Sequence, residues 1–205
     1  MGQQEIHAGT KKVKRRYVVL GIAVVAIVML SILMVFFYTQ ALDYRNSKFK
    51  TQCASVEAIV SSMPRLSDKI NETKDYTLDN GWRRSASLYA EATAESIASL
   101  CHVIGVAYAA DDERALTFAA LKTSFDDLAD TLYVCYADLT SPTRNISSDL
   151  SVSLSDSVEV LTDMYPLISV GIDDSVDWME EPYQAVSRMD LEALNDQADL
   201  LAAAQ

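Results

Sequence analysis

Histidine is almost missing from this chain: among 205 residues only His7 and His102 occur, ninety-five positions apart. No metal site beyond the N-terminal segment can therefore draw two imidazoles from one copy. A carboxylate-bridged di-iron bundle needs Glu-x-x-His on two helices, and three residues before His102 stands Ser99. Serine hydrolase chemistry would have to use His102 as its base, and no Gly-x-Ser-x-Gly elbow is present. Glycine is scarce too, at six residues, and none form the loop that cradles a phosphate. Between Ile22 and Met63 there is neither glycine nor proline, so nothing in that stretch breaks a helix. Lipid-anchor signals are lacking as well: Ile6 stands where a myristoylation signal following Gly2 needs Ser or Thr, and no cysteine lies at the C-terminus.

Charge is absent from one run, Tyr17 to Tyr38, twenty-two residues directly behind Lys11, Lys12, Lys14, Arg15 and Arg16. At about 1.5 Å per residue a helix of this length spans roughly 33 Å, against a hydrocarbon core of about 30 Å. Tyr17 marks one edge and Phe36, Phe37 and Tyr38 the other, where aromatic rings favour the membrane interface. A globular core helix this long would carry a polar stripe. Thr39-Gln40-Ala41 loosely resembles a signal cleavage site, but a cleaved signal has a hydrophobic region of about 7–15 residues, and the run exceeds it. The segment is expected to be an uncleaved anchor. Five basic residues precede it and only Arg45, Lys48 and Lys50 follow closely, so the N-terminus is expected on the cytoplasmic side.

Basic charge is also scarce in the remainder. Residues 1–74 carry eleven Lys and Arg against five Asp and Glu, a balance of +6, whereas residues 75–205 carry six against twenty-four, a balance of −18. So acidic a region is repelled by nucleic acid and by anionic lipid surfaces. Partners are expected among basic proteins, cations, or surfaces reached through apolar patches.

Hydrophobic spacing predicts helices throughout. Phe49, Cys53, Val56, Val60 and Met63 follow a four-three alternation, so the membrane helix is expected to continue outward as one rod of about 42 residues ending or kinking at Pro64. Such a rod would pass a tilt imposed outside to the inside. Arg65 to Gly81 is expected to be a connection. Trp82, Ala86, Tyr89, Thr93, Ile97, Leu100, Ile104 and Ala107 mark the face of one helix, and Phe118, Leu121, Phe125, Leu128, Leu132, Cys135 and Leu139 that of a second. Asp111-Asp112-Glu113 forms the turn between them, which makes the pair an antiparallel hairpin. Ser141-Pro142 is a helix-start signal. Beyond it Leu150, Val152, Leu154, Val158 and Val160 nearly alternate as a strand would, yet Ile146, Leu150, Leu154, Val158, Leu161, Tyr165 and Ile168 fit a helix. A strand would have no partner, so a helix is expected, kinked at Pro166 and ended at Gly171. A last helix is expected from the acidic stretch Asp173 to Glu181, with Met179, Tyr183, Val186, Leu194, Ala198 and Leu201 inward.

Few residues suggest chemistry. In a hairpin turning near Asp112, Cys101 and Cys135 differ in height by about 18 Å, and bridged cysteines need Cα atoms within about 7 Å. Cys53 and Cys135 read as small buried hydrophobes, and the odd number leaves one intermolecular bridge open. Cys101 and His102 point about 100° apart on a helix and make poor joint ligands. Glu91 with Glu95, and Asp126 with Asp130, could hold a divalent cation or divide acid and base roles, although such pairs are common on solvated helices. Asp173, Asp174 and Asp177 look calcium-like, but Trp178 stands where an EF-hand needs glycine. Arg83-Arg84, beside Trp82, could grip an anion or contact solvent at a helix start. Asn71-Glu72-Thr73 and Asn145-Ile146-Ser147 match the glycosylation sequon, both in expected connections.

The chain is thus expected to be all-α: a basic cytoplasmic tail at 1–16, a transmembrane helix at 17–38 and an extracytoplasmic acidic domain at 39–205, an antiparallel bundle of four or five helices. The tail is too short for a kinase, a methylation helix or a folded output domain. The expected role is a non-enzymatic interaction or scaffold module, without cofactor or metal, whose partner is another envelope or surface protein or a second copy, with no nucleic acid. The alternative is a small-ligand sensor that signals through a separate membrane partner and holds its ligand in an enclosed pocket.

Overall fold

The computed structural model describes residues 3–141, 145–172 and 184–205, with side chains from Val24 onward except at position 184. Every element among these residues is helical: α1 (Gln3–Lys74), α2 (Asn80–Gly105), α3 (Glu113–Thr140), α4 (Ser148–Ser169) followed by a 3-10 turn (Val170–Ile172), α5 (Gln184–Ser187) and α6 (Leu191–Ala203). The chain divides into two compact units, Met1–Ser47 and Lys48–Gln205, and α1 contributes to both.

In the first unit the stretch of α1 from Val24 to Tyr38 is apolar on all sides. From Val24 to Tyr38 each large apolar side chain is exposed, between 48% at Leu33 and 77% at Met34, so this stretch is not the core helix of a globular domain. Among the described residues it is the one helix long and apolar enough to cross a membrane. Its aliphatic hydroxyls are satisfied within the helix: Ser31 Oγ donates to the Ile27 carbonyl and Thr39 Oγ1 to that of Phe36, both at 2.9 Å.

The second unit is built around the remainder of α1. Val56, Ile59, Val60, Met63, Leu66 and Ile70 are buried, extending the expected seam past Pro64. Pro64 does not end the helix, which runs ten residues further to Lys74. Proline removes one backbone hydrogen bond, but here it sits on the exposed face, while Leu66 and Ile70 continue to bury apolar area beneath it. The expected connection from Arg65 to Gly81 accordingly contracts to residues 75–79. There Thr77 N and Oγ1 both donate to Asp75 Oδ1, and Asp79 caps α2 by accepting from Trp82 N at 3.0 Å.

The α2 and α3 faces differ from expectation in opposite degrees. On α3 all seven expected residues are buried. On α2 the buried stripe is Ala86, Ala90, Ala94 and Ala98 together with Ile97, Cys101 and Ile104, while Trp82 and Tyr89 are about half exposed. Alanines four apart allow close approach of α3, close enough for Ser87 Oγ to donate to the Leu132 carbonyl at 2.6 Å. A Cβ at Gly105 would lie 3.5 Å from Phe118 Cβ, so position 87 meets 132 and position 105 meets 118, a descending order along α3. Asp112 caps α3 by accepting from Arg114 N, in the expected acidic turn. On its other side α3 meets α6, where Ser124 Oγ donates to the Ala198 carbonyl at 2.8 Å.

Residues 148–169 are helix, not strand. The start lies later than Ser141-Pro142, of which Pro142 is outside the described residues. Ser147 is the cap, its hydroxyl accepting from Leu150 N. The buried face of α4 is Leu154, Ser157, Val160, Leu161, Met164 and Ile168, rotated so that Tyr165 is exposed and Val158 only partly covered. Helix α4 ends at Ser169, three residues after Pro166, and Gly171 follows in the 3-10 turn. A Cβ on Gly171 would stand 2.6 Å from Met189 Cε and 2.8 Å from the Ala185 carbonyl oxygen, so the glycine permits the turn to pack on α5. The expected start of the last helix, Asp173 to Glu181, and the inward Met179 and Tyr183 lie outside the described residues. The single last helix expected to carry Val186 and Leu201 on one face is broken at 188–190: Val186 is buried on α5, and α6 starts afresh at Leu191, where Asp190 caps it by accepting from Ala193 N, with Leu194, Ala198 and Leu201 buried as expected.

Candidate functional site

The basic cluster Lys11, Lys12, Lys14, Arg15 and Arg16 lies on α1, and its side chains are outside those described. The two sequons part company. Asn71 is exposed but lies within α1 rather than in a connection, and Thr73 of that sequon is buried with its hydroxyl donating to the Lys69 carbonyl. Asn145 does lie in the connection before α4 and is exposed, with its amide oxygen held by Arg83.

Arg83 corrects both expectations for the Arg83-Arg84 doublet. It is neither a solvent contact nor an accessible anion grip, being 1% exposed, while Arg84 is exposed. Its guanidinium joins three segments: Nε donates to the Thr73 carbonyl in the last turn of α1 at 2.9 Å, Nη1 to Asn80 Oδ1 at 3.2 Å and to Asn145 Oδ1 at 2.6 Å. The Tyr76 ring lies 4.8 Å from it. A cation at the carbonyl end of α1 is favoured by the helix dipole, and the planar fork serves acceptors in several directions. Beside it a smaller cluster closes the same side of α2, where Lys69 pairs with Glu72, Glu72 accepts from Trp82 Nε1 at 3.0 Å, and the Lys69 ammonium sits 5.9 Å from both the Trp82 and the Tyr89 ring. The aromatic residues expected to face inward therefore line the α1–α2 flank.

The acidic pairs are brought together across the α2–α3 contact. Burial, then the negative charges of Glu95 and Asp130, raise the Glu91 carboxyl above its ordinary value, and Glu91 Oε2 is shut off from water without a hydrogen-bond partner. Asp126 is paired with Lys122 one turn earlier. Among the described residues no group of three His, Cys, Asp or Glu side chains has the geometry to hold a metal ion; Asp173, Asp174, Asp177 and Trp178 lie outside them. No disulfide links the three cysteines. Burial pushes the Cys101 and Cys135 thiols up to about 12 and raises Cys53 as well, so all three are held as thiols rather than as nucleophilic thiolates. Cys101 is buried and its neighbour His102 exposed, as their angular separation on a helix requires.

Two surface clefts of the second unit are lined by described residues. One, of about 280 Å³, lies between α1 and α4 and is lined by Met63, Pro64, Ser67, Asp68, Leu161, Thr162 and Tyr165. The other, of about 370 Å³, lies between α4 and α6. Its walls are Asp156, Glu159, Val160 and Asp163 from α4, and Gln197, Leu200, Ala203 and Ala204 from the end of α6. Leu200 is 53% exposed there. Neither α4 nor α6 contains a Lys, Arg or His. None of the eight lining residues stood out from the sequence as a site. The available signal was a gap in composition, since Arg188 is the only basic residue after Asn145.

No protein-family model matches the chain, nor does any curated protein or solved structure.

Proposed function

We propose that this protein is a single-pass membrane anchor for a partner-binding helical domain. In this reading residues 17–38 cross the bilayer, Lys11, Lys12, Lys14, Arg15 and Arg16 keep the N-terminus cytoplasmic, and residues 39–205 form an extracytoplasmic antiparallel bundle that presents a contact surface to another envelope or surface protein. The domain works without catalysis: it sets height and orientation, and the partner supplies any chemistry.

The observation that carries the proposal is the contrast between two apolar surfaces. Val24 to Tyr38 exposes apolar side chains on every side, which only a lipid or protein environment accommodates. The second unit instead buries its apolar residues, with Ile59, Ile97, Phe118, Phe125, Leu154 and Leu194 at 0% exposure, and shows open, acid-flanked clefts at its surface. Open clefts suit a macromolecular contact better than a small ligand, which is held in an enclosed pocket covering most of its surface. The test is crosslinking in native membranes with mass spectrometry of the products. A reproducible heteromeric or homomeric adduct is expected; recovery of the monomer alone would overturn the proposal.

A further inference from the structure

We infer that the cleft between α4 and α6 is the contact surface and that it takes a cationic amphipathic segment of a partner protein, seated with its apolar side chains on Leu200 and its Lys or Arg side chains on the rim. The inference rests on the partner-binding reading above and names the chemistry of the partner.

The floor of the cleft is apolar, formed by Val160, Leu200, Ala203 and Ala204. Leu200 lies half exposed on a helix where Leu194 and Leu201 are fully covered and Leu191 partly so, which makes it apolar surface left over after the core is closed. The rim is acidic. Asp156, Glu159 and Asp163 are all exposed, fall three and four residues apart on one face of α4, and have no cation on α4 or α6; the nearby Lys74 of α1 is held by Ser155 Oγ at 3.0 Å. Asp196 and Asp199 on α6 add charge of the same sign. The cleft also lies against the last turn of α6, the negative end of its dipole. Among the lining side chains the Gln197 amide is the sole donor group.

These features select one class of occupant. An anionic or neutral polar partner would leave the carboxylates unpaired, and an apolar one would bury them at a cost. A bare divalent cation leaves the Leu200 floor unused, and no three-carboxylate geometry for it exists among the described residues. A helical segment with an apolar residue at one position and Lys or Arg one turn to either side meets both demands at once, because helix positions three and four apart share a face. A volume of about 370 Å³ seats one or two side chains, as expected for the anchor point of a longer contact.

The test uses the full chain in nonionic detergent and two fluorescent synthetic peptides of about sixteen residues: one amphipathic with Leu on one face and Lys on the other, and one with every Lys replaced by Gln. Anisotropy should show binding of the Lys peptide that weakens with salt, and a benzophenone on its Leu face should crosslink to α4 and α6. The variant D156N/E159Q/D163N, with helix content checked by circular dichroism, should weaken binding at least about tenfold, and L200S by a smaller factor. The control E95Q/D127N/D130N, which removes three charges from another face, should bind as the wild type does. Equal losses in the two triple variants, crosslinks confined to other helices, or equal binding of the Gln peptide would overturn the inference. If the variants do not fold, the crosslink map on the wild-type chain decides. Failure here is separable from failure of the broader reading: a photoreactive residue at position 200 that yields no adduct in native membranes, while one at exposed Tyr133 does, sinks the cleft but not the partner.

Discussion

At the residue scale, the polar side chains inside the second unit act as fasteners between segments distant in sequence. Arg83 is the clearest, since a single guanidinium meets Thr73, Asn80 and Asn145. Lysine at this position would keep the charge but offer one compact ammonium to three separated acceptors, leaving buried oxygens unpaired. Arg83→Lys should therefore destabilise the chain by about 2–4 kcal/mol and Arg83→Ala by at least as much, read as a lower denaturation midpoint in Trp fluorescence. Glu91 makes the opposite prediction. Because burial and like charge raise its folded value above its unfolded one, the folded state holds the proton more tightly, so its contribution is favourable at low pH and is lost as pH rises through the folded value. Glu91→Gln should raise the melting temperature at pH 7, on the order of 1–3 °C, and the difference should vanish below the ordinary glutamate value of about 4. The sequence shows Glu91 and Glu95 as a helical pair, but that Asp130 faces them depends on the packing of α2 on α3.

At the scale of elements, helix existence was legible and helix ends were less so. Periodicity places α2, α3, α4 and α6, and the seven apolar positions of α3 are all buried as spaced. Two local signals misled for physical reasons. Pro64 is a helix breaker in isolation, but the apolar stripe continuing through Leu66 and Ile70 carries α1 across it. Pro64→Ala restores the missing amide on an exposed face, so it should raise the unfolding free energy by about 1–3 kcal/mol, measured by chemical denaturation. On α2 the bulky Trp82 and Tyr89 drew the expected face toward themselves, whereas close packing on α3 selects the alanines. Gly171 shows a helix end set by a neighbour. With no room between the turn and α5, Gly171→Ala should destabilise by about 1–3 kcal/mol through displacement of Met189 and the Ala185 backbone.

For the whole molecule, the polarity of the chain makes a prediction that labelling can check. In intact cells, a membrane-impermeant maleimide should react with a cysteine introduced at exposed Val152, in a background lacking the three native cysteines, and should not react with one introduced at position 8. The reverse pattern would refute the orientation argued from Lys11, Lys12, Lys14, Arg15 and Arg16, and release of the chain by alkaline carbonate would refute the anchor. What the sequence alone determined is the helical class, the apolar N-terminal run and the acidic remainder, because length, periodicity and charge are properties of a chain read one window at a time. Only the tertiary structure decided which of those features meet. The burial of Arg83, the approach of Asp130 to Glu91 and the cleft between α4 and α6 join residues far apart in the chain, 62 positions in the case of Arg83 and Asn145, and the hydrogen bond from Ser124 to Ala198 spans 74. Such pairings are set by close packing of small side chains and by where helices stop, and no single window of sequence contains either.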